Sequence, residues 1–535
     1  MTDPGAPVLV EDPLHPPAGY RLSGAEVRRI AARDPKIRAE LRRHPLARPY
    51  EYTKGPGRWQ VSWFSAGPKA KELAQVYVED ASGTVTETWT GFQVAWTMAR
   101  GYPGAFGRKV TAWYVWLPMC LLFALPFLSL RRGRRRPSLL HLDLAVLLAF
   151  SVSLAFFNHA QIGLSVPLAY PCLLYLLIRM LLLAAGRGRP RQPLALLVPA
   201  SWLAIAVIFL VGFRVGLNVA DSNVIDVGYA GVIGADELLH GHHLYGGWPR
   251  DNLNGDTYGP VNYLAYVPFR AVLGWSGSWD SLPAGHGAAV AFDLLTLIGL
   301  FFLGRLTRGP TAGIVLAYAW ASYPFTLYAL SSNSNDSLVA MLVVLALLLV
   351  RWAPARGAAA ALAGLTKFAP LALVPLLLRG TGAPPRRRAS LGFGLGFAAA
   401  GVAAMLPVLL GDNLHAFWRD TISYQAGRGS PFSVWGLWGG LGLEQHLVQG
   451  SAAALALAAG WLPRRRGITE VAAMGAAVLI AVQLGISHWF YLYIPWFFPL
   501  AMLALVCAHP REGPPVDGGQ AAAPAPAPVA VGALS

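Results

Sequence analysis

The sequence predicts an all-α polytopic membrane protein with a small α+β section at its N-terminal end. Of its 535 residues, 55% are hydrophobic and only 13% are charged. Apolar runs long enough to cross a hydrocarbon core of about 30 Å recur along the chain. Short arginine clusters flank these runs, as expected for basic residues that stay on the cytoplasmic side of a membrane. Membrane orientation therefore explains the net charge of +16, and we expect no nucleic-acid partner.

Residues 1–110 form a polar section before the first apolar run. Apolar residues recur near helical spacing across 24–43, which predicts one short amphipathic helix. Alternating residues at 59–64 and 75–78, followed by a turn and the run 84–89, predict strands and a hairpin. This arrangement resembles a small PepSY-like module, and an unrelated small α+β cap is the alternative.

The remaining apolar runs predict about 11 membrane spans. The first three belong to an accessory region, 111–193, and the others to a membrane core, 194–509. The tail 510–535 is rich in Ala and Pro, which predicts disorder. The runs cover residues 113–130, 142–157, 164–185, 194–217, 288–303, 312–330, 337–350, 391–410, 446–462, 468–486 and 489–508.

A further apolar segment, 358–378, is broken at 367–370 by the sequence LysPheAlaPro. Proline removes a backbone donor and disfavours helical geometry in the residue before it, so this segment either spans in two pieces or re-enters. A re-entrant hairpin places every arginine cluster on one side of the membrane, which the charge rule makes cytoplasmic. We therefore favour re-entry.

This topology places the loops 218–260 and 411–440 outside, together with the N-terminal section and the turn 331–336. The loop 218–260 is acidic in a basic protein. It has Arg250 as its single basic residue and a group of three histidines, His240, His242 and His243. A loop of this length and composition predicts a functional role. Its acids are Asp221, Asp226, Asp236, Glu237, Asp251 and Asp256.

Carboxylates and cations at the level of the lipid headgroups suit one class of reaction. A carboxylate removes the proton of an acceptor hydroxyl while cations hold the phosphate that departs from a transferred sugar. A sugar carried on a polyprenyl phosphate needs no nucleotide-binding fold. Consistent with this, the Gly-rich stretch 392–397 lies inside an apolar run, where it predicts close helix packing and not a phosphate loop.

Four blocks in order resemble the GT-C membrane glycosyltransferases. Asp226 and Tyr229 are followed by AlaAspGluLeuLeuHisGly at 235–241 and by Leu244 and Tyr245; the later blocks are 257–263, 333–338 and 363–376. The most similar subgroup is the glycosyltransferase 87 type, the polyprenyl-phosphomannose-dependent mannosyltransferases of actinobacteria.

The resemblance covers about 194–508, and the chain departs from the pattern in two ways. Three spans and a polar section precede the core, and TyrGlyPro at 258–260 stands where TyrProPro is more usual. The sugar, the acceptor and the linkage are therefore left open.

The resemblance implies that Asp226 is the general base. Asp221, which lies nearer the membrane end of the preceding helix, is the alternative base. A cationic or polar side chain at the end of a span or in an outer loop is a candidate for binding the lipid phosphate or the substrate. These candidates are Arg214, Arg419, Arg428, His488, Tyr258, Asp336 and Lys367.

Lys367 is ambiguous among these candidates. The family block favours a role in binding, yet the re-entrant topology places this lysine on the cytoplasmic side, away from an outer-leaflet phosphate. Either Lys367 has a structural role at the hairpin, or the topology differs there.

The three histidines are possible metal ligands, but their Gly-containing stretch lacks the rigid elements that dedicated metal sites use. We expect no cofactor, and a divalent cation is the open alternative.

The expected activity is transfer of a sugar, mannose by the resemblance, from a polyprenyl-phosphate carrier to an outer-face glycan or lipid acceptor. It would proceed by an inverting, Asp-base mechanism, in a bacterial cytoplasmic membrane and with the active site facing outside. The alternatives are a transporter or flippase of lipid-linked sugars, for which internal repeats are expected, and a non-catalytic membrane assembly or sensor protein.

Overall fold

The structure is a computed structural model that describes residues 7–510, except 69, 96–105, 129–137, 250, 251, 253, 280, 383–386 and 412. Three features of the sequence lie outside the described residues. They are the tail beyond 510, the arginine cluster 131–136, and Arg250 and Asp251 of the acidic loop.

The N-terminal section is an antiparallel sheet covered on one face by two helices. The strand order is β1-β2-β3-β4-β5, and the predicted strands and hairpin correspond to the last three of them. Val27 and Ile37 of the helices pack with Trp59 of the sheet in a separate small core. The strands are β1 Pro7–Leu9, β2 Arg48–Lys54, β3 Arg58–Phe64, β4 Glu72–Glu79 and β5 Val85–Thr90.

The prediction of a single helix over 24–43 was wrong. The structure has α1, Gly24–Ala31, and α2, Pro35–Arg43. The side chain of Asp34 accepts hydrogen bonds from the first backbone amides of α2, and Pro35 occupies the first helical position. A capping acid followed by proline starts a new helix, because proline fits the first turn and cannot continue a helix that precedes it.

The rest of the chain is helical, and within the described residues six helices are long and apolar enough to cross a membrane. A bent pair, Pro310–Ser322 and Pro324–Ser331, raises this number to seven if its two parts form one span with a 56° bend. The predicted count of about 11 is not confirmed. The six are Leu139–Asn158, Ile162–Ala184, Ala200–Ala220, Pro283–Arg308, Arg387–Leu410 and Ile468–Gly485.

Several predicted runs form helices that are too short to span. Asp336–Leu348 has 13 residues and is therefore about 20 Å long, against a hydrocarbon core of about 30 Å. The other helices of the core and accessory region are Trp113–Ala124, Asp226–His240, Pro260–Leu264, Val267–Leu273, Ala353–Gly364, Val374–Arg379, Gly442–Ala458 and Ile494–Cys507. Single-turn or irregular helices occur at Phe92–Ala95, Arg108–Thr111, Leu125–Phe127, Ala369–Leu373, Leu414–Phe417, Trp418–Ser423, Tyr424–Gly427, Val434–Leu437 and Tyr491–Tyr493.

The turn 331–336 is buried in the protein, although the sequence predicted an outward-facing turn. Each of its residues is at most 1% exposed. The backbone of the acidic loop covers it, since the amides of Asn223 and Ile225 donate to the carbonyls of Ser331 and Ser332. The short helix that follows thus begins below the surface of the protein.

The segment 353–379 is a hairpin whose two ends meet. Arg356 donates from Nη2 to the carbonyl oxygen of Leu378 over 3.3 Å. At the tip, the amides of Gly259 and Val261 donate to the carbonyls of Thr366 and Leu365 over 3.3 and 3.1 Å. The segment therefore returns to the end at which it started, and its tip contacts the acidic loop.

Several described arginines near helix ends lie close together at the base of this hairpin. The charge of Arg466 interacts with those of Arg379 and Arg356, and the charge of Arg189 with those of Arg308 and Arg465. Arg466 donates to the carbonyls of Gly380 and Leu376 over 2.9 Å each, and Arg308 donates to the carbonyl of Cys507 over 2.9 Å. The protein thus has a basic end, and the hairpin tip points away from it.

We expect Gly259→Ala to destabilise the contact between the acidic loop and the hairpin tip. A Cβ atom at this position would overlap the backbone of Leu365, and over-packing of this kind costs about 1–3 kcal/mol. Thermal unfolding in detergent measures the loss. The matched control is Gly212→Ala, where a Cβ atom meets nothing within 4 Å. A stability of Gly259→Ala equal to that of the control would contradict the close packing.

Candidate active site

A glycine stripe positions the loop helix, Asp226–His240, against the buried turn. Gly228, Gly231 and Gly234 recur at every third residue, so they share one face of the helix. Added Cβ atoms would overlap the carbonyl of Asn333 at the first position and tyrosine rings at the other two. The helix therefore lies directly on its neighbours, and its first residue, Asp226, is held at a defined place.

The carboxyl group of Asp226 is accessible and lies between segments that are distant in sequence, a place that we call the first recess. Its side chain is exposed, yet burial among the surrounding protein atoms raises its pKa above the ordinary value of 3.8, although the amide of Val227 and the charges of Arg428 and Lys367 lower it in part. The group is therefore accessible although protein atoms from several segments surround it. Tyr258 is a neighbour, because the charge of Asp226 contributes to its raised pKa after burial.

Lys367, at the hairpin tip, lies in this recess and is held from several sides. Its Nζ atom is 2.6 Å from Oδ1 of Asp336, which is 1% exposed. The same oxygen accepts a hydrogen bond of 2.8 Å from Nε1 of Trp496. The rings of Tyr258, Tyr493 and Trp496 lie 5.6, 5.3 and 5.1 Å from the ammonium group, which suits cation–π contacts.

The structure places Lys367 beside Asp336 and within reach of the charge of Asp226, two residues that the sequence-derived topology put on the outer side. The two ends of the segment meet, as in a hairpin, and its tip reaches Asp336. The sequence shows only that the segment is broken, whereas the structure shows a helical arm of 12 residues (Ala353–Gly364) that carries the break to Asp336.

Arg428 and His488 complete the described part of the cluster. The charge of Arg428 acts on Asp226, and its guanidinium group lies 6.0 Å from the ring of Tyr424. The Nδ1 atom of His488 is 2.8 Å from Oγ of Ser430. Burial, and then the charges of Arg428 and Lys367, hold the pKa of His488 well below its ordinary value of 6.5. His488 is therefore neutral at physiological pH and can offer hydrogen bonds but no positive charge.

Two predicted residues lie apart from this cluster. Arg214 is buried and forms an ion pair with Asp293, with Nη2 and Oδ1 2.5 Å apart. Asp221 follows the end of its helix, accepts a hydrogen bond of 3.0 Å from the amide of Lys109, and lies 3.8 Å from Arg108. These contacts give both residues structural roles in joining segments distant in sequence.

Arg419 also lies outside the cluster, in a second recess on the acidic loop. Its guanidinium group forms two hydrogen bonds, of 2.6 and 2.8 Å, with the carboxylate of Asp420. The adjacent acid thus occupies the fork that the sequence suggested for a phosphate.

Two of the three histidines of the loop lie beside acids of the loop helix. His242 lies 2.8 Å from Glu237, and His240 lies 3.4 Å from Asp236, which also pairs with Arg270 at 2.6 Å. In the part of the chain that the structure describes, no group of three His, Cys, Asp or Glu residues is arranged to hold a metal ion.

The sequence analysis missed Tyr493 and Trp496, which stack with ring centroids 4.3 Å apart beside Lys367. Both belong to the aromatic run 489–496, and such runs are typical of membrane interfaces in general. A pattern this common does not distinguish a ring that lines a site from one that meets lipid.

Comparison with known proteins adds no relative. No protein-family model matches the chain, and no curated protein matches it.

Proposed function

We propose that this chain is a membrane glycosyltransferase of the GT-C kind that uses a polyprenyl-phosphate sugar. The observation that carries the proposal is the recess in which the accessible carboxyl group of Asp226 lies near two cations, Lys367 and Arg428. A base for a hydroxyl and cations for a phosphate are the two groups that this transfer requires. The resemblance of four sequence blocks to the glycosyltransferase 87 type favours mannose as the sugar.

In the proposed reaction, the hydroxyl of a glycan or lipid acceptor donates its proton to Asp226. The hydroxyl oxygen forms a bond to the anomeric carbon while the bond from that carbon to the phosphate oxygen breaks. Attack from the face opposite the leaving group inverts the configuration. The polyprenyl phosphate leaves with the bonding electron pair, and Lys367 and Arg428 stabilise its charge.

The two carboxylates of the recess have different parts in this reaction. Asp226 is accessible and can meet an acceptor, whereas Asp336 is buried and paired with Lys367. We assign Asp336 as a positioning residue that holds the ammonium group in place. His488, which is neutral, supplies a hydrogen bond to the phosphate or sugar and no charge.

The same proposal orients the protein. Basic residues favour the cytoplasmic side, so the basic end faces the cytoplasm and the recess faces the outside of a bacterial cytoplasmic membrane. An acceptor glycan and a lipid-linked donor are both available there.

The test is a transfer assay with the full chain reconstituted in lipid vesicles. Radiolabelled polyprenyl-phosphomannose is supplied together with a glycolipid extract, and polyprenyl-phosphoglucose serves as the comparison donor. We expect label to move from the carrier to the glycan fraction. Movement of the intact carrier between leaflets without transfer would support a flippase, and an inactive wild-type protein with every lipid-linked sugar would overturn the proposal.

As the pH is lowered, the rate of transfer should begin to fall at a pH above the pKa range of an ordinary aspartate. Burial raises the pKa of Asp226 above 3.8, and the base acts only when it is ionised. The rate is therefore full above the raised pKa and is lost as the pH falls through it. A pH profile of kcat/KM measures this fall in rate. A midpoint at or below the ordinary pKa of an aspartate would contradict the assignment.

A further inference from the structure

A second recess, with a volume of about 340 Å³, opens beside the candidate active site. It lies between the acidic loop and the segment 414–428, which are far apart in sequence. Its size falls within the range of about 300–1,000 Å³ that is usual for small-molecule sites. The side chains that matter for its chemistry are Trp248, Asn254, Asp256, Arg419, Asp420 and Tyr424.

The walls of this recess are fixed by contacts within the protein. Trp248 donates from Nε1 to the carbonyl of Leu244 over 2.8 Å, and its ring packs directly on Gly255, where a Cβ atom would overlap it. Asp256 is 8% exposed and accepts a hydrogen bond of 3.2 Å from the amide of Gly246. A rigid aromatic wall and an anchored carboxylate are thus present before any ligand binds.

The opposite wall comes from an irregular helix. Trp418–Ser423 is a π-helix, a form that is less stable than an α-helix and is frequent at functional sites. It carries Arg419 and Asp420 to the recess, and Tyr424 follows it directly.

The charges of the recess disfavour an anion. Two carboxylates, those of Asp256 and Asp420, face one guanidinium group, that of Arg419, which Asp420 already binds through two hydrogen bonds. A phosphate would meet net negative charge here. Carboxylate and amide oxygens accept hydrogen bonds from hydroxyl groups, and aromatic rings pack against the apolar faces of sugar rings.

The second recess is connected to the surroundings of Asp226 through neighbouring residues. Thr257 lines the second recess and precedes Tyr258, which lies beside Asp226. Asn252 donates from Nδ2 to the backbone carbonyl of Asp226 over 3.0 Å. On the other wall, Tyr424 faces the guanidinium group of Arg428. A ligand in the second recess is therefore close to the base and the cations of the first.

We propose that this second recess binds the carbohydrate part of the acceptor, as a neutral, hydroxyl-rich ligand held by Asp256 and Asp420 and packed between Trp248 and Tyr424. Its assignment to the acceptor rests on the proposed sugar transfer, whereas carbohydrate binding by itself does not. The donor phosphate is left to the first recess.

The test measures binding of short neutral manno- and gluco-oligosaccharides to the full chain in detergent by saturation-transfer NMR, with inorganic phosphate as the competitor. The variants are Asp256→Asn, which keeps an acceptor for the amide of Gly246, and Tyr424→Leu, which removes a ring. The control is Glu444→Gln, an exposed acid outside both recesses. Relative to this control, Asp256→Asn and Tyr424→Leu should each weaken saccharide binding by about tenfold or more. Phosphate should not compete with the saccharide.

In the transfer assay, the same two variants should raise the KM for the acceptor and leave the KM for the donor within about twofold. Unchanged saccharide binding in both variants, or displacement by phosphate, would overturn the inference. If wild-type protein binds saccharides in this way but transfers no sugar, the proposed function fails and the carbohydrate site stands. If transfer occurs with an unchanged acceptor KM in both variants, the function stands and the inference fails.

Discussion

Asp226→Asn is expected to reduce sugar transfer by about 10²- to 10⁴-fold, the usual contribution of a general base. The amide has the same shape and can still contact the acceptor hydroxyl, but it cannot take its proton. Loss of activity should therefore appear in kcat and in kcat/KM together, with little change in the KM of either substrate.

The thermal stability of Asp226→Asn shows whether a loss of activity reflects a loss of folding. The pKa of Asp226 is raised in the folded protein, so the folded state holds this proton more tightly than the unfolded chain does. At a pH above both pKa values, ionised Asp226 therefore lowers the free energy of unfolding. Replacement by a neutral amide should leave thermal stability equal to or above that of the wild type.

Asp221→Asn is the matched comparison for this residue. Asp221 is the other candidate base from the sequence, but it lies against Arg108 and the amide of Lys109. We expect this variant to retain most of the transfer activity. If Asp221→Asn abolishes transfer while Asp226→Asn retains it, the base assignment is wrong.

Lys367→Met is expected to be strongly destabilising as well as inactive. The variant leaves the carboxylate of Asp336, 1% exposed, without its ion-pair partner. Breaking a buried pair by removal of one member costs about 3–5 kcal/mol. Thermal unfolding in detergent should show this loss directly.

The double variant Lys367→Met with Asp336→Asn separates stability from function. It removes both charges, and an asparagine oxygen at 336 can still accept the hydrogen bond from Nε1 of Trp496. Stability should largely return, while transfer stays at least about 100-fold below that of the wild type, because no cation meets the phosphate. Recovery of transfer in the double variant would mean that Lys367 only balances Asp336.

Patterns within one segment were predicted more successfully than contacts between segments. Alternation at 59–64 and apolar runs such as 142–157 correspond to a strand and a long helix, because local periodicity records which face is buried. The predicted number of about 11 spans is not confirmed. Run length does not reveal a helix that begins inside the protein, as the one at Asp336 does, or a proline that bends a run, as Pro324 does.

The candidate site was predicted in part for the same reason. Asp226, Tyr258, Asp336, Lys367, Arg428 and His488 were all named from the sequence, and they lie together. Arg214 was named from its position in an apolar run, but the partner that occupies it, Asp293, lies 79 residues away and belongs to a different helix. A single sequence shows which groups are charged, whereas three-dimensional packing determines which of them are already paired.

The buried start of the helix Asp336–Leu348 has an energetic consequence for a lipid-borne substrate. A helix of 13 residues is about 10 Å shorter than a hydrocarbon core of about 30 Å, and its first residue, Asp336, is buried in the protein. Lifting a prenyl chain out of a bilayer costs about 0.8 kcal/mol for each CH₂ group brought into water. In the proposed reaction, a site set below the protein surface lets the prenyl chain stay in the lipid while its phosphate is bound, so this cost would not arise.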